Sequence, residues 1–89
     1  MKIKHILVNQ EFEAKDLERK LNEGSQFEEL AKKYSKCPSA PDGGDLGDLS
    51  NKRNRLDSDF ADAMDLLKVG QISKPIRTRF GYHLIFRYE

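Results

Sequence analysis

Two runs of alternating side chains, separated by most of the 89 residues, constrain the fold of this chain more than any other feature. In Lys2 to Val8, Ile3, His5 and Leu7 fall on one face and Lys4, Ile6 and Val8 on the other. In Tyr82 to Tyr88, the residues Tyr82, Leu84, Phe86 and Tyr88 oppose His83, Ile85 and Arg87. A period of two places successive side chains on opposite faces of a strand. Each run holds one of the two histidines, so both imidazoles point inward together if the strands are neighbours.

Between these runs the spacing changes. Asn9 is expected to cap a helix over about 11 to 22, with Glu11 and Glu13 in its first turn and Gly24 as a stop. Ser25 and Glu28 have the spacing of a capping box, and Phe27, Leu30, Ala31 and Tyr34 follow at helical intervals, which predicts a second helix over 26 to 34. From Cys37 to Arg55 the periodicity stops. Pro38, Pro41, Gly43, Gly44, Gly47 and Asn51 mark a long loop with a short strand near Leu46 to Leu49, and loops of that length are usually functional or disordered. Asp57, Ser58 and Asp59 open a third helix carrying Phe60, Ala63, Met64 and Leu67, with Gly70 as its stop. Ile76 to Thr78 adds a further strand, turned into the last one at Arg79 to Gly81. The order predicts one α+β domain over residues 1–89, with helices packed on a small, mainly antiparallel sheet.

Composition narrows the function classes. Hydrophobic residues make up 37% and charged residues 35%, as expected of a soluble globular protein. Sixteen basic against fifteen acidic residues leave +1, with no broad electrostatic footprint for nucleic acid or an anionic membrane. The expected partner is a peptide or a small molecule. Met1 to Val8 is too short and too charged for a signal peptide, and no apolar run approaches the roughly 20 residues of a membrane span. Cys37, the lone cysteine, cannot close an internal disulfide. Those features predict the cytoplasm, or a domain excised from an exported protein.

Taken singly, the reactive residues are bland. An inward-facing strand histidine is more often a hydrogen-bonded core residue than a catalyst, and a lone thiol is more often inert. A Cys-His nucleophile would need an orienting group and an oxyanion hole. Zinc held by His5, Cys37 and His83 would lack a close ligand pair, so no metal is expected. Gly43-Gly44-Asp45-Leu46-Gly47 is not a phosphate loop, because the glycine spacing differs and no Lys-Ser/Thr follows. Lys52, Arg53 and Arg55 read as a solvated basic loop, and Phe80 as an exposed aromatic on a turn.

The combination is more specific than its parts. His5-Ile6-Leu7-Val8, Phe27-x-x-Leu30-Ala31-x-x-Tyr34-Ser35, Cys37-Pro38-Ser39, Gly43-Gly44-Asp45-Leu46-Gly47, Phe60, Val69-Gly70-x-Ile72-Ser73-x-Pro75 and Thr78-x-Phe80-Gly81-Tyr82-His83-Leu84-Ile85 follow one another in this order. In order and spacing the chain resembles the parvulin family of peptidyl-prolyl cis/trans isomerases from Ile3 onward. The resemblance implies a parvulin-like four-stranded sheet surrounded by helices, with a shallow proline pocket. It implies His5 and His83 as paired histidines of the site floor, Thr78 as the hydroxyl fixing one imidazole, and Cys37 as the residue facing substrate. Leu56, Phe60 and Phe80 match the walls of the proline pocket. It further implies catalysis without a cofactor by a monomer, on proline-containing peptides or unfolded proteins, with neither nucleic acid nor membrane as partner.

Three departures bear on substrate choice. Leu56 stands where the family usually has methionine, which keeps apolar bulk without the flexible thioether. Asp48-Leu49 and a longer basic loop from Ser50 to Arg55 replace the usual rim. Asn9-Gln10 joins the first strand to the first helix where phospho-directed members carry cations, so unmodified prolyl bonds are the expected substrate. The rival expectation is a non-catalytic peptide-binding or chaperone module that keeps the groove without turnover.

Overall fold

A computed structural model describes residues 1–89. Lys2–Val8 forms β1 and Gly81–Arg87 forms β4, and the two pair antiparallel from Ile3 opposite Arg87 to Val8 opposite Tyr82. The flanking strands are β2 (Asp45–Asp48), antiparallel to β1, and β3 (Ile76–Thr78), antiparallel to β4, giving the order β2-β1-β4-β3. The two histidine-bearing strands are therefore central. No helix is long and apolar enough to cross a membrane.

The alternation seen in the sequence sorts the two faces of this sheet. Ile6, Val8 and Leu84 are buried on one face under α1 (Glu11–Asn22) and α2 (Phe27–Tyr34), against Ala14, Leu17, Phe27, Leu30 and Ala31. On the other face Ile3 and Ile85 are covered by α3 (Ser58–Asp65) through Phe60 and Met64, with Leu49 and Leu67 alongside. Burying a side chain such as Phe60 or Leu84 is worth roughly 1.5–3 kcal/mol, so both faces contribute to holding the sheet. His5 and His83 lie on the α3 face, where β1 and β4 turn their odd-numbered side chains.

Several local expectations change. Gln10 and Gln26, not Asn9 and Ser25, precede the first two helices, and neither helix has a side-chain cap. Burial of Phe27 at the first helical position of α2 sets that start through packing, which places Ser25 one residue too early to cap. The third helix ends at Asp65 and not near Gly70. Leu66 and Leu67 close it with turn hydrogen bonds to the Ala63 and Met64 carbonyls, and the following chain bonds to β4 instead. Asp57 does cap α3, accepting from the Asp59 N–H at 3.0 Å. The long loop contains two single-turn 3₁₀ segments, Ala40–Asp42 and Arg53–Arg55, and its strand is Asp45–Asp48.

Candidate active site

Because His5 lies opposite Ile85 and His83 opposite Leu7, the two histidines are diagonal neighbours on one face of the β1–β4 ladder. That offset lets the rings stack, with centroids 5.4 Å apart and planes 18° from parallel, and brings Nδ1 of one to 3.2 Å from Nδ1 of the other. Phe60 meets both edge-on, at 5.7 Å from His5 and 5.2 Å from His83. Behind them the Thr78 Oγ1 lies 2.7 Å from His83 Nε2 and accepts the Phe80 N–H at 3.2 Å.

Both rings are nearly sealed from water. Burial pushes His5 down to about 4, helped by the neighbouring His83. Burial also lowers His83 to about 4, against the opposing influence of the Asp57 carboxylate. Two neutral imidazoles facing through Nδ1 require one ring to donate and the other to accept. The hydrogen bonds can run from Thr78 through His83 to His5, or the reverse. One direction leaves the His5 Nε2–H without an acceptor, because that buried nitrogen has no partner. The other leaves the Thr78 hydroxyl proton unassigned. Neither direction satisfies every group.

Above the rings opens a cleft of about 340 Å³, lined by His5, Cys37, Leu56, Phe60, Phe80 and His83. Six of the seven residues named from the sequence thus converge. Thr78 is buried behind the floor and does not line the cleft. Leu7, Pro38, Leu46, Arg55 and Asp57 complete the lining. Leu7 was detectable as the residue sharing a strand face with His5, and Leu46 as the apolar member of the Gly-Asp-Leu-Gly segment. Cys37 is half-buried, and its N–H donates to Ser35 Oγ at 3.3 Å. Its thiol makes no hydrogen bond to either imidazole, so the histidine network stops at His5. Of the basic loop, Arg53 is held by Asp65 at 2.6 Å, whereas Arg55 faces the cleft.

The model of the rotamase family, described as the PPIC-type PPIase domain, matches residues 5–88. The chain belongs to this family. The chain is similar to the foldase protein PrsA of Bacillus subtilis, 43% identical over 85 residues, covering 96% of this chain and 29% of PrsA. The crystal structure of PrsA from Bacillus subtilis superposes with a TM-score of 0.91 at 41% identity, over 100% of this chain and 34% of that one. The parvulin NmPin of Nitrosopumilus maritimus superposes at 0.87 with 39% identity, over 100% and 95%. This chain therefore spans under a third of the curated PrsA sequence but nearly the whole of NmPin. The four-stranded antiparallel architecture expected of a PPIC-type domain is the one observed.

Within that domain, His83 is the shared link of the hydrogen-bonded floor. His83→Ala leaves His5 Nδ1 without a partner and Thr78 Oγ1 with only the Phe80 N–H, and is expected to lower stability by about 1–3 kcal/mol together with activity. Urea denaturation checks this. Turnover lost at an unchanged midpoint would assign His83 a purely chemical role.

Proposed function

We propose that residues 1–89 act as one peptidyl-prolyl cis/trans isomerase domain on unmodified prolyl bonds of peptides or unfolded proteins. The observation that carries this reading is the pair of neutral, stacked imidazoles beneath an apolar cleft walled by Leu56, Phe60 and Phe80. The barrier to rotation, about 18–20 kcal/mol, comes from the partial double bond of the amide. Catalysis requires only that the twisted amide be bound better than either planar isomer. Phe60, Phe80 and Leu56 hold the prolyl ring while the preceding carbonyl turns. His5 and His83, oriented by Thr78, set the field at the cleft floor, and Cys37 tunes it from the rim without attacking the carbonyl. No covalent bond forms or breaks, so no cofactor is needed.

The same reading makes the domain a monomer whose partners are proline-containing chains, with neither nucleic acid nor membrane involved. A free, half-buried Cys37 suits the reducing cytoplasm, and a parent chain exported from it is the alternative placement.

A protease-coupled isomerisation assay on short peptides tests the activity, with the residue before proline varied at low and high salt. Glutamate there is expected to help by a few-fold at most, because one exposed Arg55 contributes below about 1 kcal/mol and is screened by salt. Phosphoserine should gain no more, since Asn9-Gln10 offers it no cation. In the same assay Cys37→Asp is expected to retain turnover. Exchange no faster than the uncatalysed rate would favour the binding module that the replacement of methionine by Leu56 suggests, and a phosphoserine preference of about 100-fold, or roughly 2.7 kcal/mol, would mean a dedicated phosphate clamp.

A further inference from the structure

Arg55, Leu56 and Asp57 follow one another along one wall of the proline cleft, and all three line it. They present a cation, an apolar side chain and an anion in that order. The 3₁₀ turn Arg53–Arg55 ends at Leu56, whose φ of −95° and ψ of 151° are extended, and Asp57 follows at φ −57° and ψ 137° before α3 begins at Ser58. Extended backbone advances about 3.3 Å per residue, so the two charged residues stand roughly 6.6 Å apart along the wall. An extended substrate has the same rise, which gives the residues before and after its proline the same separation. A prolyl ring seated against Leu56 therefore brings its two neighbours beside Arg55 and Asp57.

Neither charge is spent within the chain. Arg55 and Asp57 form no ion pair, whereas Arg53, two residues earlier, is taken by Asp65. Asp57 is half-buried, and its carboxylate accepts the Asp59 N–H through Oδ1 as the cap of α3, which leaves the second oxygen free for a ligand. A carboxylate partly withdrawn from water at the edge of an apolar cleft favours a ligand that brings it a cation. Its charge also reaches the floor of the site, where it acts on His83 against the effect of burial. Because Arg55 and Asp57 differ in sign, they cannot serve the same substrate position. Arg55 is the one that meets an acidic residue before the proline, and Asp57 is left for the residue after it.

We propose that this wall reads charge on both sides of the proline, favouring an acidic residue before it and a basic residue after it, with Asp57 as a specificity-determining residue. The proposal rests on the cleft between Leu56, Phe60 and Phe80 being the substrate site. Discrimination comes from repulsion as much as attraction, since the reversed order sets each wall charge against its like. The two orders have the same composition and net charge, so a general electrostatic attraction to the domain cannot tell them apart.

The test compares two end-blocked peptides, alanine-glutamate-proline-lysine-alanine and its isomer alanine-lysine-proline-glutamate-alanine. Affinity is read from amide shifts of the isotopically labelled protein, and cis/trans exchange of each peptide by exchange NMR. The glutamate-first peptide is expected to bind and exchange about tenfold better, from two modest attractions in one peptide and two modest repulsions in the other. Asn caps a helix about as well as Asp, so Asp57→Asn keeps the start of α3 while removing the charge. Asp57→Asn and, independently, Arg55→Gln at an exposed position should each cut the preference to about threefold, and added salt should shrink it further. Equal handling of the two isomers, the reverse preference, shifts absent from the cleft, or a preference unchanged in Arg55→Gln or in folded Asp57→Asn would each overturn the proposal. Affinities that differ tenfold while neither peptide exchanges faster than the uncatalysed rate would sink the isomerase reading and leave the charge reading standing. Catalysed exchange of both peptides at equal rates and affinities would do the opposite.

Discussion

Lowering the pH from about 7 to about 4 is expected to cost the domain several kcal/mol of stability while leaving it almost unaffected above about 6.5. His5 and His83 both fall from 6.5 to about 4 on folding, and burial is the main cause for each. Above 6.5 both imidazoles are neutral in the folded and unfolded chain, so no protons distinguish the two states. Between 6.5 and about 4 the unfolded chain takes up protons that the folded chain refuses, and stability falls as pH falls. One pH unit of displacement is worth about 1.4 kcal/mol per group, so each histidine accounts for roughly 3 kcal/mol at the acid end, as an upper figure for a coupled pair. The contact between the rings sharpens the loss. A first proton can sit on the outer nitrogen of either chain direction, but a second would set two Nδ1–H groups against each other across 3.2 Å. Urea midpoints measured from pH 8 to pH 4, with imidazole proton shifts recorded alongside, follow this directly. A midpoint constant down to about pH 4.5, or imidazoles titrating near 6.5, would show that the rings are not held neutral by burial.

Gly44→Ala is expected to destabilise the domain by about 3 kcal/mol or more, a large fraction of what a chain of this size possesses. Gly44 has φ +82°, a conformation costing about 1–2 kcal/mol for a residue with a Cβ. The added Cβ would also overlap the His5 carbonyl oxygen and lie 3.2 Å from the Ala31 Cβ. Backbone cannot move away cheaply there, because the His5 N–H donates to the Gly44 carbonyl at 2.9 Å and Ala31 belongs to the packed face of α2. The clash therefore falls on the residue that positions one of the two imidazoles, and turnover should fall with stability. Gly24→Ala serves as the control, since Gly24 has φ +105° but no atom within 4 Å of the added Cβ. Thermal melts of both variants separate strain from clash. Equal losses in the two would mean that the close approach of Gly44 to β1 does not constrain the fold.

The sequence by itself determined the elements whose signals are local. Alternation in Lys2 to Val8 and the stripe Phe27, Leu30, Ala31 and Tyr34 are set by neighbours a few residues apart, so β1, β4 and α2 could be read directly. The order of motifs added the family and, through it, the residues of the candidate site. Helix ends were less legible because they were decided from outside the helix: burial of Phe27 fixed the start of α2, and bonds from β4 claimed the chain after Asp65. Only the tertiary structure decided how the site is wired. His5 and His83 are 78 residues apart, and no local rule sets the β2-β1-β4-β3 order or the diagonal register that brings their Nδ1 atoms within 3.2 Å. It also placed Thr78 behind the floor, left the Cys37 thiol outside the histidine network, and turned Arg55 toward the cleft while tying Arg53 to Asp65. Periodicity records which face a side chain occupies, whereas distance between faces depends on strand pairing, and pairing is set by the packing of the whole chain.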